Sequence, residues 1–165
     1  MKSYRLHIYH LLTFFMPPTR LFAAKRTLLR WAGATIGANV RVVSTAKFHL
    51  TGKLETRENT WIGHEVMVVG GEASVLIGKN VDIAPRANII TGSHKPFSIP
   101  GKAAGEGYSL PIEIGDGAWI GAASTILGGV QIGEQTIVAA GALVRSEVPG
   151  KVTVGGVPAR VLAHR

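Results

Sequence analysis

A six-residue period constrains this chain more than any other feature. It is clearest from Ile114 to Pro149, which divides into IGDGAW, IGAAST, ILGGVQ, IGEQTI, VAAGAL and VRSEVP. An aliphatic residue opens each hexad: Ile114, Ile120, Ile126, Ile132, Val138 and Val144. Four residues later stands a small or medium side chain: Ala118, Ser124, Val130, Thr136, Ala142 and Val148. A strict period of six does not keep one face of a 3.6-residue helix, and hairpin signals are missing at the strand ends. Each hexad reads instead as one short strand plus its corner, with the leading side chain pointing inward onto its equivalent in the next coil. Small residues near the corner let the backbone turn without a Cβ clash. Three hexads close one triangular coil. The predicted fold is all-β, a parallel β-helix.

The frame is less clean upstream. Ile36, Val42, Phe48 and Leu54 are in step; the frame slips by two to Ile62 and Val68, then by three to Ile77, Ile83 and Ile89. About nineteen residues, Lys95 to Glu113, are inserted before Ile114. Ahead of the repeats, Lys2 to Trp31 reads as helix interrupted at Pro17 and Pro18. The domain reading is an N-terminal helical segment (1–33), a repeat domain (34–162) with one long inserted loop (95–113), and a short tail (163–165). The helical segment is expected to cap the open end of the repeats; an amphipathic helix lying on a membrane is the alternative.

Composition agrees with this scaffold: aromatics are only 7% and Gly reaches 21 of 165 residues. The absence of cysteine excludes disulfides, thiolate metal sites and a thioester on the protein. The formal charge is +8 and unevenly placed: residues 1–54 hold nine Lys and Arg and no acid, while the remainder holds nine bases and all ten acids. Anionic lipid, a polyanionic glycan or nucleic acid could meet such a segment. No basic run is interleaved with stacking aromatics, so nucleic acid is not expected. The longest N-terminal apolar run, Leu11 to Met16, is far short of the roughly 20 residues that span a bilayer, and no signal-peptide cleavage site follows it. The expected location is cytoplasmic, with the inner face of a membrane as a place of peripheral association.

Three stretches carry a family resemblance: IGKNVDIAPRANIITGSH (77–94), PIEIGDGAWIGAASTILGGVQIGEQTIVAAGALV (111–144) and GGVPARVL (155–162). Over roughly 34–162 the chain resembles the hexapeptide-repeat acyltransferases, of the type that includes maltose and galactoside O-acetyltransferases and acetyltransferases of bacterial exopolysaccharide biosynthesis. The resemblance implies a left-handed β-helix, a homotrimer with active sites between subunits, acetyl-CoA as donor, no metal, and direct transfer to a hydroxyl of a sugar or polysaccharide precursor. It also implies a general base at the histidine closing the TGxH stretch, here His94. The residue itself fits: His94 is the sixth of the hexad Ile89–His94, so it should face outward, just ahead of the insertion. Taking a proton from a sugar hydroxyl calls for a base such as imidazole.

By the same resemblance His64 stands where the sugar acetyltransferases have an Asn that contacts the acceptor, with Glu65 and Tyr108 as further substrate-binding candidates. The C-terminal coils are implied to hold the donor: Ala122, Ala140 and Arg160 by position, with Arg145 and Lys151 as further cations for its phosphates. Trp61 and Trp119 precede Ile-Gly pairs at matching sixth positions and should face outward, covered by a neighbouring subunit. Two other activities use related scaffolds. An N-acetyltransferase acting on an amino-sugar nucleotide often carries an extra nucleotide-binding domain, and no Gly-rich strand–turn–helix unit is present. A trimeric γ-carbonic-anhydrase-like metal protein needs two histidines close together plus one from a neighbour, whereas His49, His64 and His94 are widely spaced.

Overall fold

The computed structural model describes residues 1–164; Arg165, the last residue of the predicted tail, lies outside the described residues. Three sheets of parallel strands form the faces of a β-helix, the first and third with five strands each and the second with six plus one antiparallel edge strand. Along the first face Ile36, Thr56, Ile77, Ile114 and Ile132 are in register. Val42, Ile62, Ile83, Ile120, Val138 and Val154 follow one another on the second, and Phe48, Val68, Ile89, Ile126 and Val144 on the third. All of them are buried, as are the fifth residues of the hexads. Each hexad therefore sends two side chains inward, not one. Where the fifth is polar it satisfies itself on a corner carbonyl: the hydroxyls of Thr60, Ser124 and Thr136 donate to Gly78, Gly121 and Pro149 at 2.8, 2.8 and 2.7 Å.

The register corrects the upstream frame. Leu54 does not open a hexad; Thr56 does, paired with Ile36 and Ile77. The extra residues fall between Phe48 and Thr56, and Leu54 is an additional inward residue in register with Val75. A polar residue at the leading position hid the true frame.

Corners are built by the fourth residue of the hexad, which takes a left-handed backbone. Asn39, Asn59, Asn80, Gly117, Gln135 and Lys151 do so between the first and second faces. Glu65, Arg86, Ala123 and Gly141 do so between the second and third. Asn and Gly tolerate this region best, which accounts for their recurrence at the first of these corners.

Two helices, α1 (Ser3–Phe14) and α2 (Phe22–Trp31), pack on the first coil. Leu6 and Tyr9 join the core beside Phe48, with the Tyr9 and Phe48 rings edge to face at 6.0 Å. Arg26 and Arg30 of α2 donate to the carbonyls of Val40 and Ile36 at 3.0 and 2.8 Å. Lys25 is buried, and its Nζ donates to the carbonyls of Pro17 and Pro18 at 2.9 and 2.7 Å, fixing the turn between the helices. Among the described residues no helix is long and apolar enough to cross a membrane.

His10 of α1 accepts a hydrogen bond from the backbone N–H of Phe48 through Nε2 at 3.1 Å. Burial first, then the charges of Lys47, His49 and His7, push its pKa from 6.5 down to about 4. It stays neutral in the folded chain, while the unfolded chain takes up the proton as pH falls below 6.5. Stability contributed here is complete above about pH 6.5 and drains away as pH falls toward 4. His10→Gln, whose side-chain carbonyl can accept the same bond, should flatten the fall in unfolding temperature between pH 7 and 5.

The insertion is not a loop. Gly92–Ile99 and Lys102–Ser109 pair antiparallel as a projecting hairpin that starts three residues before the predicted boundary at 95. Its turn falls at Pro100–Gly101, with Gly101 at φ +76°. At the other end Arg160–His164 pairs antiparallel with Val152–Gly155, so Ala163 and His164 of the expected tail continue a strand.

Candidate active site

His94 lies on the first strand of the hairpin, opposite Gly107. Its Nδ1 donates to the carbonyl oxygen of Gly105 across the hairpin at 2.8 Å. A carbonyl can only accept, so Nδ1 carries a proton, and in the neutral ring the lone pair is on Nε2. The ring borders an open depression of about 610 Å³, lined also by Gly70, Gly71, Glu72, Gly92, Ser93 and Tyr108. Glycine is required on this floor: a Cβ on Gly70 would collide with Thr91 Oγ1. The arrangement is an exposed imidazole, held through Nδ1, above a floor of backbone.

Gly92, Ser93 and Tyr108 also border a second, smaller depression of about 190 Å³ that continues to Gly128 and Arg145. Tyr108, opposite Ser93 in the hairpin, borders both depressions and so connects the hollow beside His94 to the C-terminal coils. Arg145 lies in turn on a third depression of about 590 Å³ that includes Arg160. The three depressions share lining residues in turn, from Tyr108 in the hollow beside His94 to Arg145, which also borders the one with Arg160.

The other predicted site residues lie elsewhere in the chain. His64 does not lie beneath His94: it is two residues past its leading Ile62 whereas His94 is five past Ile89, and the coil before contributes Gly70–Glu72 to the depression beside His94. His64 sits on the corner between the second and third faces. There the bonds Arg86 N–H to His64 O, Ala123 N–H to Pro85 O and Gly141 N–H to Ala122 O join His64, Pro85 and Ala122 coil by coil, with Ala140 beside Gly141 at the next. His64 Nδ1 lies 3.4 Å from Thr45 Oγ1. Glu65 is occupied by Arg86, 2.7 Å away in an exposed pair. Lys151 is on the remaining corner, paired with Glu134 at 2.9 Å, and does not join Arg145 and Arg160. Trp61 is covered by this chain's own helix, packed edge to face on Phe22 at 6.0 Å with Arg41 over its ring at 5.0 Å. Trp119 is 54% exposed. Sequence reasoning missed Glu72, the glycine floor and the Gly105 carbonyl; the doubled Gly70–Gly71, which breaks the six-residue frame, was the one available signal.

The family "Bacterial transferase hexapeptide (six repeats)" matches residues 111–146. Galactoside O-acetyltransferase of Escherichia coli K12 is 33% identical over 138 residues, covering 84% of this chain and 67% of that protein. WcaF of the same organism, proposed as a colanic acid biosynthesis acetyltransferase, is 31% identical over 153 residues, covering 90% of this chain and 79% of its own. This chain belongs to the hexapeptide-repeat acetyltransferases. A solved relative, the hexapeptide-repeat acetyltransferase VCA0836 from Vibrio cholerae in complex with acetyl-CoA, superposes with a TM-score of 0.77 at 29% identity, covering 98% of this chain and 86% of that one. Against curated relatives the coverage is uneven: the chain spans 53% of the length of one from Saccharomyces cerevisiae. In the hexapeptide-repeat setting, the hairpin and its His94 are an excursion from the third face of the coil.

Proposed function

We propose that this protein transfers an acetyl group from acetyl-CoA directly to a hydroxyl of a sugar or polysaccharide precursor, with His94 as general base. The observation that carries the reading is the His94 Nδ1–Gly105 carbonyl bond, which commits the ring to the tautomer with a free Nε2 beside an open depression. The acceptor hydroxyl gives its proton to Nε2 while its oxygen attacks the thioester carbonyl. Collapse of the tetrahedral oxyanion expels the CoA thiolate, which takes the proton back from the imidazolium. The galactoside and the colanic acid in the names of two relatives support a sugar acceptor, and the acetyl-CoA complex of VCA0836 supports the donor.

The fold belongs to the same reading: a left-handed coil, capped by α1 and α2, assembled as a homotrimer. Within one chain His94 and the His64–Ala122–Ala140 corner lie on different corners. Side by side in a trimer, one subunit would bring His94, Tyr108, Arg145 and Arg160, and its neighbour the corner of small residues along which an extended pantetheine arm can lie. Arg145 and Arg160 would meet its phosphates. Arg160→Glu should raise the acetyl-CoA KM by about tenfold, the equivalent of one lost charge-assisted contact, with kcat little changed; an unchanged KM removes Arg160 from the site.

The test of the whole reading is acetyl-CoA turnover against a panel of sugars, amino-sugar nucleotides and no acceptor, followed by thiol release. Release that depends on a sugar hydroxyl is the expected result. Release only with amino-sugar nucleotides would replace O-transfer by N-transfer.

A further inference from the structure

Helix α1 is apolar on two opposite sides. Leu6, Tyr9 and Thr13 are buried toward the body of the protein. Tyr4, Ile8, Leu11, Leu12 and the C-cap residue Phe15 fall at i, i+4, i+7, i+8 and i+11, a single stripe on the far side, and all are exposed. Phe14 and Phe15, 74% and 77% exposed, meet edge to face at 5.2 Å and form an aromatic knob at the helix end. A contiguous apolar stripe of this kind needs a cover. The buried stripe already serves the core, so the outer one is free for something else.

Charge identifies the cover. Lys2 and Arg20 are exposed at either end of this region. Arg5 lies between the rings of Tyr4 and the exposed Trp31, at 5.8 and 5.1 Å. Tyr, Trp and Arg together on the rim of an apolar stripe suit the headgroup layer of a bilayer. No acid occurs among residues 1–54. Two copies pressed together through this face would set cation against cation with no carboxylate from either segment to relieve them, whereas anionic lipid headgroups supply the missing charge. At 12 residues α1 is about 18 Å long, enough to lie in the interface and too short to span it.

We propose that the outer face of α1 docks this protein on an anionic phospholipid bilayer, with Leu11, Leu12, Phe14 and Phe15 entering the headgroup–acyl boundary and Lys2, Arg5 and Arg20 meeting lipid phosphates. The docking stands independently of the acetyl-transfer reading, since none of these residues belongs to the His94 site. The full chain should co-float with phosphatidylcholine vesicles containing phosphatidylglycerol and not with phosphatidylcholine alone. Moderate salt should weaken the binding without abolishing it, because the apolar contacts remain. Leu11→Ser/Leu12→Ser/Phe15→Ser should lose at least about tenfold in vesicle affinity and keep the oligomeric state of the parent. Lys2→Glu/Arg20→Glu should lose the preference for phosphatidylglycerol. Absence of binding at low salt overturns the proposal. So does a serine variant that binds like the parent, or one that falls to a smaller oligomer, which would make the face a contact between copies.

Discussion

His94→Ala should lower acetyl transfer by about 10²- to 10⁴-fold, the range expected when a positioned general base is removed, while leaving the folded protein intact. His94 is exposed on a projecting hairpin, and its one polar partner is a backbone carbonyl that solvent can reach once the ring is gone. Truncation there creates no cavity in the coil, so unfolding temperature should move little. His94→Asn separates two roles that alanine removes together. The asparagine amide can still donate to the Gly105 carbonyl, keeping the hairpin's cross-link, but it offers no basic lone pair. A loss as large as that of alanine marks the residue as the base. Near-parental turnover in the asparagine variant would reduce it to a positioning residue and sink the mechanism. Thiol release under saturating acetyl-CoA measures both.

The coil was legible because its determinants are local and repeated. A buried aliphatic residue every six positions can be seen without knowing what it packs on, and Ile114 to Val144 needs nothing else. The frame was lost where chemistry departed from pattern. Thr56 opens a hexad with a hydroxyl, and the apolar Leu54 two residues earlier looked like the better leader; only register with Ile36 and Ile77 distinguishes them. The resemblance that set His64 with His94 did not carry their corners: what fixes a corner is the offset from the leading residue, two for His64 and five for His94.

The candidate base itself was readable, and its orienting partner was not. Gly105 acts through a carbonyl that every residue possesses, brought to Nδ1 by hairpin pairing eleven residues away. That pairing depended on recognising Pro100–Gly101 as a turn inside what looked like an irregular insertion. Glu72 stayed hidden for the same reason: it enters the depression from a previous coil, through a stacking that only the corrected register supplies. The division of site residues between two corners is likewise a property of the folded coil.

A pair of alanine substitutions on one corner measures how tightly the coils stack. Gly121 and Gly141 both sit between the second and third faces, one coil apart. Adding a Cβ to Gly121 would place it 2.5 Å from Val138 O and 2.6 Å from Ala140 N, backbone atoms of the next coil that cannot rotate away. Relief requires prying two coils apart, which breaks register along the second face. The cost should be at least about 3 kcal/mol, at the upper end of overpacking effects, or roughly 6–12 °C in unfolding temperature for a domain of this size. Gly141 has nothing within 4 Å of its virtual Cβ, and its only difficulty is a backbone φ of +69°. Non-glycine residues already hold that conformation at the equivalent places Glu65, Arg86 and Ala123. Gly141→Ala should therefore cost about 1 kcal/mol, the left-handed penalty alone. The expected order is Gly121→Ala far below Gly141→Ala, itself just below the parent, in a thermal melt followed by circular dichroism. Equal losses would mean that turn conformation rather than coil-to-coil contact dictates glycine here, and that the stacking distance is set by the side-chain core alone.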